Sequence, residues 1–307
     1  MTSSALTDPD DLHLFYEDLV RTLRDRGVVC GITSGLACVH YGVAETTKDC
    51  DLLCHPDFFD ALLDLLSGIS IAGEACCYRG HISAPLSKPW HLGGWTSHFE
   101  WNTSPRVTLD VFGRAVRQSS PWEHDLSGLY AGMNVVAEMK RTDRAKDWPF
   151  ITSLGSAMLR AGDSRGWLHL FDADVLEEMQ QDCTIPGEMI ELRPTLQLAA
   201  RHDPNLRLAL RAEQYFWQDL DRLRIRVYRH AVRPFVLALG REGISRDLPL
   251  RQQHEARLVC AQNTLQPKPL ATYGSDRLID EARNSTAALV KPELLKWLPN
   301  VSSHFTD

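Results

Sequence analysis

No stretch of the 307-residue chain approaches 18 consecutive apolar residues, the length a membrane-spanning helix needs. The opening MTSSALTDPDD is acidic and lacks the basic and apolar regions of a secretory signal. Both absences predict a soluble, cytoplasmic protein with no membrane partner. Positive charge is also short: 33 Lys and Arg stand against 40 Asp and Glu, a formal net charge of −7. That balance argues against a generic polyanion binder but leaves room for a local basic face. The eight cysteines (Cys30, Cys38, Cys50, Cys54, Cys76, Cys77, Cys183, Cys260) include no CxxC pair, and several sit in apolar runs, which predicts reduced core thiols. Cys50, Cys54 and His55 come nearest to a zinc set, but their spacing matches no structural zinc knuckle. Repeats and low-complexity tracts are missing too. What remains, 44% apolar and 24% charged, is an ordinary globular composition, long enough for one large domain or two.

The pattern of elements favours a layered fold. Leu12, Phe15, Leu19 and Leu23 recur near helical spacing over residues 9–26, with Asp8 as N-cap, Pro9 in the first turn and Gly27 at the end. VVCGI (28–32) reads as a buried strand, TSG (33–35) as a turn and LACVHYG as a second helix. DCDLLC is the next strand, and a helix opens at Pro56. Residues 80–95 show no periodicity and read as a long loop. HFEW (98–101) and RVTLDVF (106–112) flank NTSP and read as a hairpin. From residue 133 the pattern is helical, with two helices meeting near 142–146 and a domain boundary near 165.

Three features carry chemistry. A strand runs into the Ser34–Gly35 turn and a helix, where backbone N–H groups and the helix dipole can hold phosphate. Asp49 and Asp51 lie two apart on the following strand, so both project to one face, roughly 6–7 Å apart. Like charges that close repel unless a cation lies between them. Asp110 interrupts the apolar strand RVTLDVF, where an apolar residue would cost less; taken alone it also reads as a hydrogen-bonded core carboxylate. Together the three describe a phosphate cradle beside a three-carboxylate metal site. Such a site suits phosphoryl-type transfer with Mg²⁺ (or Mn²⁺), which activates a hydroxyl and stabilises departing pyrophosphate.

Carried by SGLACVHYGVAETTKDCDLL (34–53), VTLDVF (107–112) and MKRTDRAKD (139–147), the first half of the chain resembles the minimal nucleotidyltransferases of the DNA polymerase β-like superfamily, including the AbiEii-type toxin-related branch. The resemblance implies an α+β fold: a nucleotidyltransferase domain over 1–165, its mixed sheet flanked by helices, then a mainly helical domain over 166–307. It also implies a Mg²⁺-dependent enzyme moving NMP from an NTP to a hydroxyl acceptor. Asp49, Asp51 and Asp110 would hold the metals and be catalytic, and Ser34 and Gly35 would meet the NTP phosphates. Lys140, Arg144 and Lys146 would make further phosphate contacts, with Asp147 orienting them. The sequence departs from the pattern in two places: Ser-Gly stands where this branch often has Gly-Gly, and Glu45 where many relatives have Arg. The rival reading is a degenerate nucleotidyltransferase fold serving as a nucleotide- or RNA-binding module, or a toxin–antitoxin component with a protein partner.

Other motifs have plainer readings. G31-I-T-S-G35 approximates a hydrolase nucleophile elbow, but its central residue is Thr33 and only one strand precedes it. Asp172 and Asp174 fit a helix start, Asp174 and Glu177 having capping-box spacing. His98, one strand from Asp110, reads as a substrate contact or, more simply, a surface histidine. Residues 193–246 hold eleven arginines against five acids, a local balance of +6. On a helix over 218–233, Arg222, Arg226, Arg229 and Arg233 form a ridge that either tracks an RNA or tRNA acceptor or is a solvated face paired with acids.

Overall fold

The computed structural model describes residues 2–3, 9–47, 49–115, 121–122 and 125–305. The architecture is mixed α/β. Two compact units divide the chain, and each takes two separate stretches: 1–132 with 228–269, and 133–227 with 270–307. The boundary expected at residue 165 thus falls inside the second unit. A switch from strand to helix periodicity locates the last strand, but it does not show that helices after residue 228 return to the sheet-bearing unit.

The strands are β1 (Thr2–Ser3), β2 (Cys30–Thr33), β3 (Cys50–Cys54), β4 (Ser70–Ile71), β5 (Glu74–Ala75), β6 (Cys77–Tyr78), β7 (Thr96–Trp101) and β8 (Val107–Phe112). The helices are α1 (Pro9–Asp25), α2 (Ser34–His40), α3 (Phe59–Ser67), α4 (Lys88–Leu92), α5 (Met133–Lys140), α6 (Trp148–Arg160), α7 (Ala173–Asp182), α8 (Gly187–Leu192), α9 (Leu196–Ala200), α10 (Leu206–Ala231), α11 (Arg233–Glu242), α12 (Leu250–Thr264), α13 (Pro269–Tyr273) and α14 (Ser275–Ala287).

A five-stranded sheet in the order β2-β3-β8-β7-β6 organises the first unit. β3 and β8 run parallel and the other neighbours antiparallel, while β1, β4 and β5 make a small separate sheet. Because successive side chains point to opposite faces, the sheet has two distinct sides. Ile32, Cys50, Leu52, Tyr78, Phe99, Trp101, Leu109 and Val111 belong to one core cluster with Tyr16, Leu19, Val20 and Leu23 of α1 and Leu62, Leu63 and Leu66 of α3. Each large side chain buried there contributes about 1.5–3 kcal/mol. The other side presents Asp51, Thr108, Asp110, His98, Glu100 and Arg79.

Most expected elements are present. The entry helix spans Pro9–Asp25 and Gly27 follows it at φ +79°, while the proposed cap Asp8 lies outside the described residues. The hairpin forms as β7 and β8. The stretch 80–95 is not all loop: α4 begins with Pro89 in its first turn, where proline is tolerated. The indoles of Trp90 and Trp95 donate to the carbonyls of Leu265 and Gln266, each at 2.9 Å, so that segment is ordered by residues about 170 positions away and shows no local periodicity. Trp90 and Trp95 share a second core cluster with Phe235 and Leu239.

In the second unit, α5 and α6 meet across a short turn of 3-10 helix at Ala145–Asp147, as the pattern implied. α7 starts two residues earlier than the Asp174–Glu177 capping-box spacing implied. Its cap is Asp172, whose carboxylate accepts from the Asp174 and Val175 N–H groups at 2.9 and 3.2 Å. The interior holds a buried ion pair, Arg193–Glu213, at 3.0 Å. Arg193 also donates to the Trp167 and Leu170 carbonyls, both at 2.8 Å.

Candidate functional site

The polar side of the sheet is built by register. Thr33 pairs with Asp51, Asp51 with Asp110 and Asp110 with His98. Tyr78 pairs with Phe99, and the Arg79 N–H donates to the His98 carbonyl at 2.8 Å, which continues the row by one position. Directly opposed residues share a face, so Thr33, Asp51, Asp110, His98 and Arg79 form one line across five strands. A second line, one pleat away, runs from Cys77 through Glu100 to Thr108, and the Thr108 hydroxyl donates to the Asp49 carboxylate at 2.9 Å. Asp49, Asp51 and Asp110 therefore sit on one face of the adjacent β3 and β8. Asp49 is exposed and the other two half-buried.

Asp110 is the most engaged of the three. One of its oxygens accepts from the Arg79 guanidinium at 2.5 Å and lies 2.8 Å from His98 Nδ1. Three oxygen-donor carboxylates on neighbouring strands suit a hard divalent cation. As the side chains stand, no group of three or more His, Cys, Asp or Glu among the described residues is arranged to hold one: Asp110 faces Arg79 and His98, and Asp49 faces Thr108.

Ser34 and Gly35 lie at the edge of this face, where β2 turns into α2. Ser34 adopts φ +54°, a left-handed conformation that costs a non-glycine residue about 1–2 kcal/mol. That is the position where the resembling branch often carries glycine. A Cβ on Gly35 would lie 2.7 Å from the Thr47 hydroxyl, so glycine here lets the segment before β3 approach the turn. Glu45 is exposed in that segment.

The other expected phosphate contacts belong to the second unit. Asp147, 1% exposed, is their hub: it receives Lys140 Nζ at 3.4 Å, Arg144 Nε at 2.8 Å and the Thr142 hydroxyl at 3.3 Å. Lys140 is buried, whereas Arg144 and Lys146 are exposed. Asp147 thus pairs with two of these cations.

The arginine ridge is partly neutralised. Of its members, Arg222 pairs with Asp219 and Arg226 with Glu281 at 2.9 Å, and the neighbouring Arg224 pairs with Asp221 at 2.9 Å. Arg229 and Arg233 are exposed, and Arg233 begins a new helix, α11. All eight cysteines are free thiols and seven are buried. Burial pushes the Cys30 thiol up to about 12 and Cys50 well above its usual value, so these two are inert core groups as expected.

Two cavities in the first unit, of 430 and 600 Å³, are not lined by Asp49, Asp51 or Asp110. The smaller is lined by Glu17, His40, Tyr41 and Tyr130, the larger by Cys76, Cys77, Arg246 and Leu248.

Arg79 and Glu100 escape sequence reasoning, because neither lies in a motif and their places depend on the β6–β7 register. His98 carried a faint signal, since alternation puts it on the polar side of a strand next to that of Asp110. The chain matches no family model and no curated protein sequence.

Proposed function

We propose that the protein is a nucleotidyltransferase that moves NMP from an NTP to a hydroxyl acceptor, with the polar face of the sheet as its active site. One observation carries this reading. Asp51 and Asp110 are direct neighbours on parallel β3 and β8, and Asp49 reaches the same face. Three carboxylates gathered on one side of a sheet repel one another unless positive charge lies among them, which supports a divalent cation as their partner.

Mg²⁺ or Mn²⁺ held by Asp49, Asp51 and Asp110 would polarise the α-phosphate and neutralise the leaving pyrophosphate. The acceptor hydroxyl oxygen forms a bond to the α-phosphorus, and the bond from that phosphorus to the bridging oxygen of pyrophosphate breaks. Asp110 takes the proton of the acceptor hydroxyl as that bond forms. Ser34 and Gly35 face the triphosphate. The exposed arginines after residue 228 make RNA, tRNA included, the first acceptor to test.

The test is incubation with Mg²⁺ and each α-labelled NTP, with and without total tRNA, beside Asp51→Asn. Label on RNA or a small hydroxyl compound with the parent protein only supports the reading. In parallel, Mn²⁺ should raise the melting temperature, since a ligand of the folded state stabilises it by mass action. The combined Asp49→Ala, Asp51→Ala change should abolish that rise, and an undiminished rise would sink the metal assignment.

A second reading, a non-catalytic nucleotide- or RNA-binding module, is favoured by the pairing of Asp110 with Arg79 and His98. It predicts NTP binding with no pyrophosphate release.

A further inference from the structure

The polar face carries two arginine–carboxylate pairs that differ in kind. Glu100 is 1% exposed. Arg246 binds it from the segment preceding α12, and Arg106 stands 3.4 Å away. A carboxylate so enclosed would be left charged and unpaired without its arginine, at a cost of several kcal/mol, so this pair belongs to the scaffold. The Arg79–Asp110 pair is open to solvent on one side, with side chains 31% and 21% exposed. Its arginine lies at the end of the very short strand β6, and Gly80 follows at φ +64°. Arg79 can leave without opening the core.

Its partner is one of the carboxylates assigned to the cation, and a guanidinium and a divalent ion held at the same oxygen repel each other. The side chain of His98, 3.4 Å from Arg79 Nη2, completes the set around that oxygen. We infer that Arg79 is the resident counter-ion of the carboxylate face: it occupies Asp110 in the cation-free protein, competes directly with a divalent cation for that carboxylate, and thereby sets cation affinity. The inference rests on the carboxylate-site reading above and adds to it a positioning residue that no motif marks. It also accounts for side chains on a metal-suited face that do not converge.

Mn²⁺ binding without nucleotide, followed by calorimetry and by the free-Mn²⁺ electron spin resonance signal, tests this on the full chain. Arg79→Met keeps the aliphatic stem and removes the charge, and it should tighten Mn²⁺ binding about tenfold, the size of effect an adjacent full charge has on a carboxylate's cation equilibrium. Arg79→Lys, which keeps a charge but loses the planar fork, should fall between, and it is the informative variant if Arg79→Met fails to fold. Placed on Asp110→Asn, Arg79→Met should produce no further tightening. Unchanged or weaker Mn²⁺ binding in both Arg79 variants, while Asp51→Asn still weakens it, would overturn the inference and leave the carboxylate site standing. Mn²⁺ binding indifferent to both Asp51→Asn and Asp110→Asn would instead overturn the carboxylate site, and the inference with it.

Discussion

The two faces of the five-stranded sheet share one backbone and differ in almost everything else. One side places Phe99, Trp101, Leu109, Val111 and Leu52 in the core, none more than about 1% exposed. The other sets Asp49, Asp51 and Asp110 beside Arg79 and His98, half-open to water. Hydrophobic burial on the first side holds the strands in register, and that register lines up the charges on the second. The half-open Asp51, Asp110 and Arg79 add little stability of their own. Theirs is an arrangement the core imposes.

The contrast is broken most sharply by substituting the same strand pair on each side. Leu109→Ala should cost about 3 kcal/mol in urea unfolding, the loss of a buried leucine with its cavity. Asp51→Asn should leave unfolding within about 1 kcal/mol of the parent, because one of a set of like charges is removed. Under the proposed function it should nonetheless lower nucleotidyl transfer by about a thousandfold or more, roughly 4 kcal/mol of barrier. If the two substitutions destabilised equally, the division between a scaffold face and a functional face would be wrong.

Acid offers a second, smaller contrast. His91 is fully buried. Its Nε2 lies 2.8 Å from the Ser97 hydroxyl, which itself donates to the Ala84 carbonyl at 2.9 Å, and its Nδ1 has no hydrogen-bond partner. Burial lowers its pKa to about 3. The unfolded chain protonates this ring near pH 6.5, so between 6.5 and 3 the unfolded state binds the extra proton. The stability from keeping it neutral is complete above 6.5 and is lost as pH falls. At pH 5 the loss is about 2 kcal/mol. Unfolding free energies at pH 7, 6 and 5 should therefore fall less steeply in His91→Leu than in the parent.

Two finer tests follow on the polar side and beyond it. Thr108→Val removes the hydroxyl that orients Asp49 and should cost about 1 kcal/mol, with weaker Mn²⁺ binding measured by calorimetry. Arg226→Ala, which deletes an exposed partner of Glu281, should change the melting free energy by no more than about 0.5 kcal/mol. A clear loss of tRNA binding in that variant would show that its pairing does not withdraw it from an acceptor.

Much of the first unit was legible because its signals are local. The 3.6-residue spacing of Phe15, Leu19 and Leu23 marks α1, and NTSP between alternating strands marks the hairpin. Trp90 defeats such reading, because the helix around it is held by Leu265. So does the division of the chain, since nothing near residue 228 signals a return to the sheet-bearing unit.

For the candidate site the dividing line is equally physical. The two-residue pleat of a strand is a property of the backbone itself, so the letters D-C-D alone determine that Asp49 and Asp51 project together and that Cys50 points into the core. Cross-strand neighbours are a property of register, which depends on packing over the whole sheet. Only the tertiary structure could decide that Asp110 stands beside Asp51, that Arg79 reaches Asp110 across 31 residues of chain, and that Arg226 meets Glu281 55 residues away.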